Sequence, residues 1–201
     1  DIPIGLPSKN VPTRRCDKDA RHILSPRRHA SVFSPPVREA LNAENYEVAC
    51  RINQRVTGRK IFRQFWGITP KIREVDEFLV KHPEVVSGIR ETHPEVCFWA
   101  LNGGVPMEHS KKTEAGGRER MALLTPRLSK ANTVVAASLE KFTAKQVVRD
   151  DVLDALVLAV AGFACGGKML ALPETFEADN RGLPMEIVYC PVDVETKFTS
   201  G

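Results

Sequence analysis

Asp150-Asp-Val-Leu-Asp-Ala-Leu-Val-Leu-Ala-Val-Ala-Gly162 is the stretch on which the reading of this chain turns. After its opening acids it is apolar on almost every side, so as a helix it is expected to be buried rather than amphipathic. Yet Asp150, Asp151 and Asp154 fall at its start. Helical spacings of three and four set Asp154 on one face with Asp151 and with Asp150. Acids on a buried helix need an ion pair, hydrogen bonds or a metal. Capping is the other reading, since Asp before an apolar run satisfies first-turn amides and complements the helix dipole. Thr143-Ala-Lys-Gln146 also has the capping-box pattern, which would start the helix near Ala144 and place the acids mid-helix. Both readings stay open at the level of sequence.

The chain has 201 residues, enough for one large domain with a proper core. Its net charge of +4 and sequence pI near 8.9 tilt it mildly toward polyanionic partners. No apolar run reaches membrane-spanning length, and no signal-peptide pattern opens the chain. Cys16, Cys50, Cys97, Cys165 and Cys190 are widely spread and odd in number, with no Cys-x-x-Cys. That usage suits reduced thiols in the cytoplasm better than a disulfide framework or a zinc site. The first residue is Asp1 rather than Met, and an upstream segment is expected.

Asp1-Ile-Pro-Ile-Gly-Leu-Pro7 reads as the end of a buried strand running into a loop, which would present Asp1 at a strand's carboxyl end. Residues 13–24 have helical spacing, with Cys16, Ala20, Ile23 and Leu24 as the apolar positions. Arg14, Arg15, Arg27 and Arg28 are either a phosphate-contacting surface or a solvated charged face. A short helical piece is expected after Pro35-Pro36, then helices over Ala43–Val56 and from Thr69-Pro70, with Thr69 as cap. Residues 13–82 thus read as a mostly helical insertion between strands. Gly88–Glu95 reads as a strand that puts Glu95 at its end, and Val96–Leu101 as core. A helix is expected near Glu114–Leu124, capped by Thr113. Gly182–Cys190 reads as a closing strand with Met185, Ile187 and Tyr189 on one face.

Several familiar chemistries are excluded. His93-Pro-Glu95 matches half of a zinc deaminase signature, but the Pro-Cys-x-x-Cys half is absent. Ser110-Lys-Lys-Thr113 ends like a phosphate-binding loop without the required glycines. No Gly-x-Ser-x-Gly elbow occurs, and the histidines lack zinc-ligand spacing. What remains is a set of acids, Asp1, Glu95, Asp151 and Asp154. Carboxylates converging from separate elements hold hard divalent cations for phosphoryl chemistry.

Asp1–Pro7, Lys71-Ile-Arg-Glu-Val-Asp76, His93-Pro-Glu-Val96, Ser110-Lys-Lys-Thr113, Asp150-Asp-Val-Leu-Asp-Ala155 and Gly182-Leu-Pro-Met-Glu-Ile187 together resemble the uncharacterised family called domain of unknown function 429. Its members are taken to be nucleases of RNase H fold. The likeness spans nearly the whole chain in order. It implies a single α/β domain over 1–201, an RNase H-like sheet with flanking helices, interrupted by the helical insertion at 13–82. The final helix also resembles that of Holliday-junction resolvases. On that likeness Asp154 is a metal ligand, Asp151 its companion, and Asp1 the acid ending the fourth strand. Glu95, Lys111 and Lys112 are motif residues to which the resemblance assigns no role, and substrate or phosphate contact is the expectation for them. The family's opening strands, with a further metal-binding Asp, precede the position of Asp1. Without them the chain lacks one expected ligand and exposes a sheet edge suited to pairing with a second copy.

The leading expectation is therefore a nuclease using Mg²⁺ or Mn²⁺, with Asp1, Asp151 and Asp154 as ligands and Glu95 in the catalytic set. Lys111, Lys112, Arg14, Arg15, Arg27 and Arg28 would neutralise nucleic-acid phosphates. A non-catalytic nucleic-acid-binding or interaction protein on the same scaffold is the alternative. A nucleotide-binding protein is a third reading, without a phosphate loop to support it.

Overall fold

The computed structural model describes residues 1–191. It divides into two compact units. The first comprises residues 1–21, 32–92 and 171–188, and the second 22–31, 93–170 and the residues from Tyr189 on. The architecture is mixed but dominated by helices.

In the first unit, residues 1–7 form no ladder, which corrects the expected strand. Pro3 and Pro7 have no amide to donate. The amides that remain are taken largely by side chains. Ile4 donates to Oε2 of Glu91 at 2.9 Å and Leu6 to Oδ2 of Asp179 at 3.0 Å. Gly5 donates to the carbonyl of Pro184 at 3.0 Å. That approach requires glycine, because a Cβ there would lie 2.5 Å from Cγ of Met185 and 2.6 Å from the Pro184 oxygen.

Four helices follow, α1 (Arg15–Ile23), α2 (Tyr46–Thr57), α3 (Arg63–Trp66) and α4 (Thr69–Lys81), with a short 3-10 turn at Arg38–Ala40. Residues 13–82 are mostly helical. The side chain of Asn45 caps α2 by accepting from the amide of Val48, and Gly58 ends it in the left-handed region that glycine tolerates. Thr69 does not cap α4. It lies inside the first turn, with Ile68 as the capping residue. Leu6, Val37, Leu41, Ala49, Ile61, Phe65 and Ile72 make the main core of this unit.

The expected strand Gly88–Glu95 is a second correction. A 3-10 turn occupies Pro83–Gly88, Thr92 alone pairs with Val188, and a helix has begun by Pro94. Proline fits the first turn of a helix, where its missing amide goes unnoticed. The sheet expected from three segments is reduced, among the described residues, to β1 (Leu170–Leu172) and β2 (Ile187–Tyr189). Within Gly182–Cys190 only Ile187–Tyr189 is strand, and Met185 and Ile187 are buried. The free sheet edge expected along residues 1–7 is not formed.

Buried charge knits the first unit together. Arg14 is fully enclosed and places Nη2 2.6 Å from Oε1 of Glu91, with Asp17 at 3.5 Å. Arg38 joins Asp76 at 2.7 Å and Asp179 at 2.5 Å. Burial pushes the carboxyls of Glu91 and Asp17 up, and the charge of Arg14 opposes it.

The second unit is built from α5 (Pro94–Leu101), α6 (Glu114–Leu124), α7 (Ala131–Lys141) and α8 (Arg149–Ala164). Cys97, Phe98, Met121, Leu124, Val135, Leu153, Val157 and Val160 meet in one core, so Val96–Leu101 is interior as expected, but as helix. α6 spans the expected residues, and Thr113 caps it by accepting from the amide of Gly116 at 3.1 Å. Gln146 does bond back to the amide of Thr143, at 3.1 Å, but that pair closes a turn and the helix starts only at Arg149. α8 is also not buried all round. Asp151, Ala155, Ala159 and Gly162 recur near helical spacing as a solvent-facing stripe of mostly small residues.

All five cysteines are buried thiols. Among the described residues no helix is long and apolar enough to cross a membrane.

Candidate functional site

The residues of the second unit with chemical potential gather where α5, α6 and α8 pack together. α5 brings Glu95 in its first turn. His93 accepts from the Glu95 amide at 3.2 Å through Nδ1, and its Nε2 lies 3.3 Å from the carbonyl of Ser31. Burial holds the His93 imidazole down at about 4, and nearby Lys111 adds to that, while the Ser31 carbonyl opposes it. A neutral ring that accepts at Nδ1 and donates at Nε2 follows. His93 is therefore a helix cap.

α6 brings Arg120. Its Nη2 lies 2.5 Å from Oε1 of Glu95, with exposures of 0% and 6% for the two side chains. Nη1 donates to the carbonyls of His109 and Gly116, and the guanidinium carbon sits 5.3 Å from the centre of the Phe98 ring.

The turn before α6 brings Lys111. Thr113 donates its amide and its hydroxyl to the Ser110 carbonyl, at 2.9 and 2.8 Å. Glu119 accepts from the amides of Glu108 and His109. Gly116 allows the turn to lie on the helix, since a Cβ there would fall 2.0 Å from the Ser110 oxygen.

α8 brings the acids. Lys111 Nζ is bonded to Oδ2 of Asp154 and lies 3.9 Å from Oδ2 of Asp150, so these two acids share a face, as their spacing predicts. Burial raises the Asp154 carboxyl above its ordinary range. Lys111 and Arg120 pull it down, and the charge of Glu95 pushes it further up. Glu95, Lys111, Arg120 and Asp154 thus form one electrostatic neighbourhood. Among the described residues, Oε2 of Glu95, Oδ1 of Asp154 and Nε of Arg120 are buried with no hydrogen-bond partner. Nη1 of Arg14, Oδ2 of Asp17 and Nε of Arg28 share that state; buried polar atoms of this kind take a bound water or an ion as partner.

The remaining predicted site residues are placed differently. Asp151 is exposed, and its Oδ2 accepts from the amide of Val148 at 3.1 Å, so it closes the start of its own helix. Glu95 is on a helix rather than at a strand end. Asp1 is an exposed residue of the first unit, outside any strand. Arg14 lies in the interior of the first unit, not on a phosphate-contacting surface. Arg15 is exposed and donates to Thr175 Oγ1 at 3.3 Å. Arg27 and Lys112 face solvent, and Arg28 is half-buried. Among the described residues no group of three or more His, Cys, Asp and Glu side chains is placed to hold a metal ion.

Arg120 went unread in the sequence, although a signal was there. Gly116, Gly117, Arg120, Met121 and Leu124 recur at helical spacing, and all five are buried. An arginine on an apolar stripe beside two glycines calls for a buried acid.

Comparison with curated proteins and with solved structures gives no match. A family model described as "Protein of unknown function (DUF429)" matches residues 1–178. Spanning most of the chain, that match means the protein belongs to the DUF429 family of proteins of unknown function.

Proposed function

We propose that this chain is a divalent-cation-dependent phosphodiesterase acting on nucleic acid, on an RNase H-like scaffold, with its cation site in the second unit. One observation carries the reading. Glu95 and Asp154 each hold a buried carboxylate oxygen without a partner, in one electrostatic neighbourhood. Two carboxylates are an adequate protein contribution for Mg²⁺, which keeps several waters and completes its shell with substrate phosphate. Mn²⁺ suits the same oxygen donors. The donors fit the group that the family likeness implies.

Glu95 and Asp154 would hold the ion, with Asp150 on the same helix face. When bound, such an ion polarises phosphoryl oxygen and lowers the pKa of its water. Arg120 fixes the direction of Glu95 by taking Oε1, which leaves Oε2 as the free donor. Lys112 and Arg27 face solvent and would neutralise the backbone of a nucleic acid. The buried thiols suit a reducing setting such as the cytoplasm.

A non-catalytic nucleic-acid-binding role is the second reading. Its support is that Glu95 and Asp154 already have cationic partners in Arg120 and Lys111, with no three-acid group among the described residues. Incubating single- and double-stranded DNA and RNA with the protein and Mg²⁺ or Mn²⁺ decides between them. Cleavage that is lost in Asp154→Asn and Glu95→Gln supports the enzyme. Salt-sensitive binding with the same background cleavage in all three proteins supports the binding role.

A further inference from the structure

We infer that Lys111 is a tethered counter-ion occupying the Asp154 carboxylate, and that a divalent cation enters by displacing its ammonium. This rests on the cation reading above.

The ammonium sits between two acids, bonded to Asp154 Oδ2 and 3.9 Å from Asp150 Oδ2. The charges of Glu95 and Arg120 also act on the Asp154 carboxyl, and the Lys111 charge acts on the His93 ring. Ammonium is a compact point charge on a flexible stem, so its hold is exchangeable in a way that a bidentate guanidinium's is not. Arg120 is enclosed and bonded to carbonyls as well as to Glu95. Lys111 is about a third exposed. Besides the Lys111 ammonium, Thr113, Ser110 and Glu119 also fasten the turn that carries it. The side chain can therefore swing outward with the turn still in place.

The exchange puts two positive charges in place of one. With Lys111 seated, the acids Glu95, Asp150 and Asp154 face only its charge and that of Arg120; a divalent ion in its place matches all three, and the exposed end of the turn gains a cation beside Lys112. The displaced ammonium is then positioned to meet an anionic phosphate oxygen. A carboxylate paired in this way is not left as an unpaired, largely buried charge in the metal-free protein.

The test is calorimetric titration of Mn²⁺ into metal-free wild type, Lys111→Gln, Lys111→Arg and Asp154→Asn. Removing the competing charge is expected to tighten Mn²⁺ binding by about tenfold in Lys111→Gln. Lys111→Arg, which keeps a charge, should not bind more tightly than wild type, and Asp154→Asn should lose binding. In the same samples Mn²⁺ should raise the melting temperature of Lys111→Gln more than that of wild type. Equal or weaker binding by Lys111→Gln, with binding still lost in Asp154→Asn, overturns the exchange and leaves the cation site standing. Binding that is absent throughout, or that survives Asp154→Asn, removes both. Should Lys111→Gln fail to fold, the ¹⁵N signal of the Lys111 ammonium in wild type decides. It should shift on saturation with Mg²⁺, and an unchanged signal in a protein that binds the ion overturns the exchange.

Discussion

Arg120 and Glu95 meet at 2.5 Å inside the second unit, the arginine with no exposed side-chain surface and the glutamate with almost none. Breaking a buried pair strands the partner's charge, which is worse than never having had the pair. Arg120→Met and Glu95→Gln are each expected to destabilise by about 3–5 kcal/mol. The double variant should lose clearly less than the sum, because neither charge is then left alone. Urea unfolding of the four proteins measures the coupling.

Gly116 and Gly162 lie on neighbouring helices of the second unit and should respond oppositely to alanine. At Gly116 the added carbon would overlap the Ser110 carbonyl, so Gly116→Ala should destabilise by about 1–3 kcal/mol and disturb the turn that holds Lys111. At Gly162 nothing lies within 4 Å. Gly162→Ala should stabilise by roughly 1 kcal/mol, through helix propensity alone. Thermal melts of the two variants check both signs.

Asp151 and Asp154 are separable by function. Asp151→Ala removes the bond to the Val148 amide and should lower stability by about 1 kcal/mol or less, with any Mn²⁺-induced rise in melting temperature intact. Asp154→Asn should abolish that rise. Equal losses in the two variants would return Asp151 to the cation site.

His93 makes stability depend on mildly acidic pH. Its folded pKa of about 4 lies below the ordinary 6.5, chiefly through burial. Between those values the unfolded chain takes up the proton and the folded one does not. Stability should therefore fall as pH drops from about 6.5 toward 4, with a limiting slope of about 1.4 kcal/mol per pH unit from this group. Asn accepts a hydrogen bond as a cap does but cannot titrate there. His93→Asn should flatten that part of the stability–pH curve relative to wild type.

Local chemistry was the legible part of the sequence. Thr113 before Glu114, the Pro70 start and the spacing of Asp150 and Asp154 all read correctly or nearly so, because caps and helix faces depend on neighbours a few residues away. The strands did not read correctly. Residues 1–7 and 88–95 have strand composition, but Pro3, Pro7 and Pro94 remove donors, and Glu91 and Asp179 satisfy amides that a neighbouring strand would have taken. Those carboxylates lie 87 and 173 positions from the amides they meet, a distance no local pattern encodes. Arg14 follows the same rule, since Glu91 turns an apparent surface charge into an interior one. The pairing of Glu95 with Arg120 likewise depends on the packing of α5 against α6.

The opening segment is hung on two carboxylates and one carbonyl where a strand would be zipped to a neighbour along its length. Its alignment is thus written into positions 91, 179 and 184 one peg at a time. Trimming a single peg, as in Asp179→Ala, loosens the tether at Leu6 while Ile4 stays hooked. A ladder would instead slip by whole residues and turn every side chain over.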